Sequence, residues 1–163
     1  MCDLPDCKSI EVLLVEDNPG DIRLIKEALN DAKIHVHITV AHDGVEALTL
    51  LRREGNYSSA PVPDLVLLDL NLPRMGGHDV LRAIKQDQHL RRIPVVIVTS
   101  SKADQDIAAS YDLHANCFVT KPVDLDQFFN VVQAIREFWF IIVKLPSTPA
   151  LEFDVSRIHQ QGG

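Results

Sequence analysis

The chain has 163 residues, of which 46% are hydrophobic and 24% charged, a length and composition suited to one soluble domain with a core on both faces of a sheet and no need of a disulfide framework. Its formal net charge of −7 argues against nucleic acid as the main partner, because an acidic surface repels a phosphate backbone. Cys2, Cys7 and Cys117 lack the paired spacing of disulfides or zinc sites, which points to a reducing, cytoplasmic compartment, and residues 1–8 lack the basic start and apolar stretch of a secretory signal.

Residues 10–15, Ile-Glu-Val-Leu-Leu-Val, make a strand-length apolar run that stops on Glu16, Asp17 and Asn18, so two carboxylates sit at a strand's C-terminal end. Asn18 and Pro19 then open a helix, the first as cap and the second as the initial helical residue. Ile22, Leu24, Ile25, Ala28 and Leu29 carry that helix to about residue 30. Residues 35–40 alternate, with Val36, Ile38 and Val40 on one face and His35 and His37 on the other, as in a half-exposed edge strand. Two histidines so placed are also conceivable ligands. Asp43 with Glu46 reads as a capping box for a second helix ending near Arg53, and the long loop 56–63 follows.

Val66, Leu67 and Leu68 form an uninterrupted apolar run that ends on Asp69, as a strand buried on both faces would deliver one charge to its end. By itself an acidic residue there is equally well a turn residue. Pro73, Gly76 and Gly77 mark the next loop, and Val80, Leu81 and Ile84 give the third helix an inner stripe. Residues 95–98 are a fourth buried strand ending on Thr99, Ser100 and Ser101. A weakly apolar fourth helix over 102–113 has Ile107, Ala108 and Tyr111 as its expected inner residues. Residues 116–120 form a fifth strand that ends on Lys121 and Pro122. Asp124 caps a last helix reaching about residue 143, whose end, Phe138, Trp139, Phe140, Ile141, Ile142 and Val143, is apolar all the way round and asks for a partner surface. Six residues are far short of the roughly 20 that span a bilayer.

Strand and helix alternate five times, which calls for a doubly wound α/β fold: a five-stranded parallel sheet with helices on both faces. Working groups in such sheets gather outside the carboxyl ends of the strands. Those ends carry Glu16 and Asp17, Asp69, Thr99 and Ser100, and Lys121. Close carboxylates repel unless a cation joins them, and hard oxygen donors suit Mg²⁺. Asp69 then reads as a carboxylate nucleophile able to form an aspartyl phosphate, with Mg²⁺ and Lys121 stabilising the phosphoryl charge and Thr99 and Ser100 offering hydroxyls.

The acidic pair Glu16-Asp17, Asp69 with Asn71 two residues on, Thr99, and Lys121-Pro122 after Phe118-Val119-Thr120 together resemble the receiver domain of two-component response regulators. The resemblance covers residues 10–143, leaving 1–9 as an N-terminal extension and 144–163 as a tail too short for an output domain. It implies the flavodoxin-like receiver fold with strand order 2-1-3-4-5, a backbone-carbonyl metal contact from Asn71, and a switch in which the Thr99 hydroxyl and the Phe118 ring move together. A narrower resemblance, carried by residues 16–21, 56–63 and 138–143, is to cyanobacterial phytochrome response regulators. It implies a phytochrome histidine kinase as phosphodonor and a homodimer through helix four, strand five and helix five, the face that would cover Phe138, Trp139, Phe140 and Ile141. It implies a signalling phosphoacceptor and no enzyme. The rivals are a pseudo-receiver scaffold and an aspartate-nucleophile phosphatase. The phosphatase wants spaced aspartates after the first strand where this chain has Glu16-Asp17. A nucleotide-binding module would need a glycine-rich phosphate loop that is missing there.

Overall fold

The computed structural model describes residues 9–30 and 34–146. The expectations for Cys2 and Cys7, for most of the N-terminal extension and for most of the tail fall outside those residues. Elements run β1 (Ser9–Val15), α1 (Pro19–Leu29), β2 (His35–Ala41), α2 (Gly44–Leu51), β3 (Leu65–Leu68), α3 (Gly77–Gln86), β4 (Val95–Thr99), α4 (Asp104–Asp112), β5 (Cys117–Thr120) and α5 (Leu125–Arg136). All strand pairs are parallel and the order is β2-β1-β3-β4-β5, as the resemblance implied.

Every residue of β3 and β4 is buried, which is what uninterrupted apolar runs specify when helices cover both faces. One core layer joins Leu13, Val15, Val66, Leu68, Val95 and Ile97 to α2 and α3. The opposite layer joins Leu14, Leu65, Leu67, Val96 and Val98 to α1 and α5. Caps set the helix starts as the sequence suggests. Asn18 Oδ1 accepts from the Asp21 N–H at 3.0 Å with Pro19 opening α1, and Asp124 Oδ1 accepts from the Gln127 N–H at 2.9 Å.

Register aligns the strand ends. Val15 pairs with Leu68, Leu68 with Ile97 and Ile97 with Phe118, so the residues that follow emerge along one rim. Backbone bonds from the Asp69 N–H to the Val15 carbonyl at 3.0 Å, and from the Lys121 N–H to the Thr99 carbonyl at 2.7 Å, extend the ladder into the site. Gly77 is required at the start of α3, because a Cβ there would overlap the Asp69 carbonyl and the Leu70 Cα.

Three sequence expectations need correction. Ala108 and Tyr111 are exposed; α4 turns Ser110 to the interior, because three helical positions from Ile107 fall on the serine. The last helix does not continue as α-helix to 143: residues Glu137–Ile142 wind as a π-helix. The inward stripe Phe128, Val132, Ile135 would reach position 139 at α-helical spacing, and the wider turn moves it on to Phe140. Phe140 is therefore only 1% exposed and leaves the expected partner face. Phe138 and Ile141, with Ile142, remain exposed, and Trp139 packs part-buried against the core and edge-on to the Phe138 ring.

Candidate functional site

Lys121 is the centre of the rim. Its stem follows β5 into a largely buried position, and its ammonium donates to Glu16 Oε2 at 2.6 Å, Asp21 Oδ2 at 2.9 Å and Asp69 Oδ2 at 3.0 Å. Burial by itself would lower its pKa, but the hydrogen bonds to Glu16 and Asp21 and the charges of Asp69 and Glu16 outweigh it and raise the ammonium above the ordinary lysine range. It stays charged at any physiological pH.

Glu16 is almost fully enclosed. Burial pushes its carboxyl up to about 7; the Lys121 hydrogen bond pulls the other way and the nearby Asp69 charge adds to the rise. Its other oxygen accepts the Asn18 N–H at 3.1 Å. Asp69, 6% exposed, has its second oxygen on the Asn71 N–H at 3.2 Å. Glu16, Asp17 and exposed Asp17's neighbour across the rim, Asp69, each offer a carboxylate oxygen within 4.8 Å of the others, and this is the cluster of metal-ligand type found among the described residues. Three hard oxygen donors, one of them reluctant to ionise, against a single ammonium fit a hard divalent cation.

Thr99 is fully buried at the end of β4, and its Oγ1 accepts from Asn71 Nδ2 at 3.5 Å and from the Ser101 N–H at 3.4 Å. Phe118, beside Ile97 in register, is part-buried against the α2–α3 core layer. Ser100 is exposed past the strand end. Among the described residues His35 and His37 join no metal cluster; His37 Nδ1 pairs instead with Glu11 Oε2 at 2.7 Å on the edge strand. The sequence reading missed Asp21. It entered only within the 16–21 motif, with no role of its own, although the first turn of α1 where it sits starts at the C-terminal end of β1, where the site lies.

A parallel five-stranded sheet with an acidic trio, a buried threonine and a lysine at its carboxyl rim defines a receiver domain, and the description of the response regulator receiver domain matches residues 12–133: the chain belongs to this family. It is a receiver-domain response regulator of two-component signalling. Among curated relatives, response regulator Rcp1 of Synechocystis sp. is 45% identical over 136 residues, covering 83% of this chain and 92% of its own. The phosphorylated cyanobacterial phytochrome response regulator RcpA superposes with a TM-score of 0.83 at 50% identity, over 85% of this chain and 99% of that one. The Mn²⁺-bound form of Rcp1 gives 0.83 at 44% identity with the same coverage.

Proposed function

We propose that Asp69 accepts a phosphoryl group from a phosphohistidine of a phytochrome sensor kinase, and that the chain acts in the cytoplasm as a signalling phosphoacceptor and not as an enzyme on other substrates. The observation that carries this is the Lys121 ammonium 3.0 Å from Asp69 Oδ2 beside the three-carboxylate cluster. The likeness to phytochrome response regulators supports the choice of donor. Within the described residues, no helix is long and apolar enough to cross a membrane.

An oxygen of Asp69 attacks phosphorus as the P–N bond of the phosphohistidine breaks, the electron pair passing to the imidazole nitrogen. Lys121 donates to the phosphoryl oxygens, where its fixed charge opposes the charge that develops in transfer. Glu16, Asp17, Asp69 and the Asn71 backbone carbonyl would hold Mg²⁺, which when bound offsets carboxylate repulsion and phosphoryl charge. The Thr99 hydroxyl then moves from Asn71 and Ser101 toward the phosphoryl group and the Phe118 ring turns inward, while Ser100 offers a further hydroxyl. The change reaches the α4–β5–α5 face, which serves a homodimer or other partner through Phe138, Ile141 and the edge of Trp139.

Incubation with Mg²⁺ and acetyl phosphate should give a hydroxylamine-sensitive phosphate that Asp69→Asn abolishes. A chain that takes up no label would be a scaffold pseudo-receiver. Sedimentation with and without beryllofluoride tests whether the dimer follows the phosphoryl state; identical association in both would detach it.

A further inference from the structure

An ammonium has three N–H donors, and all three of Lys121's are directed at carboxylates: Glu16, Asp21 and Asp69. The three acceptors differ in what they lose by giving the lysine up. Glu16 and Asp69 side chains are 2% and 6% exposed, so either would be left as a buried charge short of a donor. The Asp21 side chain is 24% exposed and can return to water. In α1 its backbone N–H is taken by the Asn18 cap, and its carboxylate also complements the start of the helix.

We infer that Asp21 is a positioning residue that shares Lys121 with the phosphoryl group on Asp69 and thereby weakens the site's hold on that group. This rests on the reading of Asp69 as the phosphoryl acceptor. A phosphoryl group brings further negative charge and strong acceptor oxygens to the same ammonium, so Asp21 opposes it twice: it competes for an N–H, and its charge repels the newcomer. With Asn at position 21 the charge goes while a side-chain oxygen remains to steer Lys121. A purely supporting role for Asp21 predicts the reverse, since a lysine less firmly held would bind a phosphoryl group less well.

Beryllofluoride, which mimics the phosphoryl group on a carboxylate, provides the probe. Titration at saturating Mg²⁺ followed by fluorine NMR should show Asp21→Asn binding about three- to fivefold tighter than wild type, the scale of one partly exposed ion pair. The resonance of the fluorine facing Lys121 should shift with it. Asp21→Glu should return both the affinity and the resonance to wild type, and Asp21→Ser, which keeps the backbone cap and lacks the charge, should follow Asp21→Asn. Thermal melts of the variants confirm that each is folded. Wild-type binding with Asp21→Asn unchanged or weaker, or Asp21→Glu behaving as Asp21→Asn, overturns this inference alone. A wild-type chain that binds no beryllofluoride overturns the reading of Asp69 as well.

Discussion

Helices α3 and α4 are neighbours, yet different forces hold them. α3 buries Val80, Leu81 and Ile84 completely in the layer against β3 and β4. α4 buries only Ser110, and its first residues have no side-chain cap, Ala103 standing at that position. What fastens α4 is polar. Ser101 Oγ donates to the Asp106 carboxylate, Ser110 Oγ donates to the Asp106 carbonyl at 2.7 Å, and His78 Nε2 on α3 lies 3.1 Å from Ser110 Oγ and 3.3 Å from that carbonyl. Since a carbonyl only accepts and the Ser110 proton is already given, His78 Nε2 must carry a proton. Through the Ser101 N–H on Thr99 Oγ1 this network begins at the candidate site. The receiver thus sets one flank of Asp69 in close-packed hydrocarbon and attaches the other by hydrogen bonds that can be exchanged at small cost.

Truncation in the two helices tests that contrast most strongly. Leu81→Ala should cost about 2–5 kcal/mol of unfolding free energy in urea, the transfer term plus the cavity it leaves, whereas Ile107→Ala on α4 should cost about 1 kcal/mol or less. Equal losses would remove the distinction.

A third region, the end of β1, holds an electrostatic conflict that neither helix has: Glu16 is buried beside Asp69 and Lys121. In a chelator, burial keeps the Glu16 carboxyl at about 7, against 4.5 in the unfolded chain. Between those values the folded chain keeps a proton that the unfolded chain has released, so this stabilisation is full below the lower value and is lost as pH rises through the upper one. Wild type should therefore lose stability relative to Glu16→Gln between about pH 5 and about pH 8, by on the order of 2 kcal/mol in denaturant titrations. Added Mg²⁺ should reverse the loss at the higher pH, where the ionised form is available to bind it. A pH slope identical in both chains would place the conflict elsewhere.

What could be read from the sequence follows the same division. Buried strands announce themselves by composition, so β1, β3 and β4 and the polar groups at their ends were legible, and with them Glu16, Asp17, Asp69 and Thr99; Lys121 was legible as the charge that ends the half-buried β5. Strand order was not; it came with the family motif. Groups that meet across the fold through single polar contacts left little trace. Asp21 lies 100 positions from Lys121, and Ser110 is 32 from His78. Hydrophobicity alone sent Ala108 and Tyr111 inward on α4 because the true inner residue is a serine whose hydroxyl is satisfied there. Phe140 was misplaced for a different reason: a π turn shifts register by a residue, and an all-apolar run such as residues 138–143 does not show which of its members faces in.

The smallest effect is the most informative about the polar flank. Ser110→Ala keeps α4's volume nearly unchanged and raises its helix propensity by a few tenths of a kcal/mol, while removing the acceptor for His78 and the donor to the Asp106 carbonyl. Global stability should fall by about 1 kcal/mol or less, because the Asp106 carbonyl retains His78 Nε2 and the loss is that of modest hydrogen bonds. The local consequence should be larger in proportion. α4 has almost no buried hydrocarbon to hold it in place of those bonds, so its amides should exchange with solvent faster than in wild type, while α3 amides keep their protection. If α4 exchange is unchanged, half-buried Ile107 and the Ser101 contact alone hold the helix. If α3 and α4 lose protection together, they open as one unit, and the candidate site has no separately movable flank to act on.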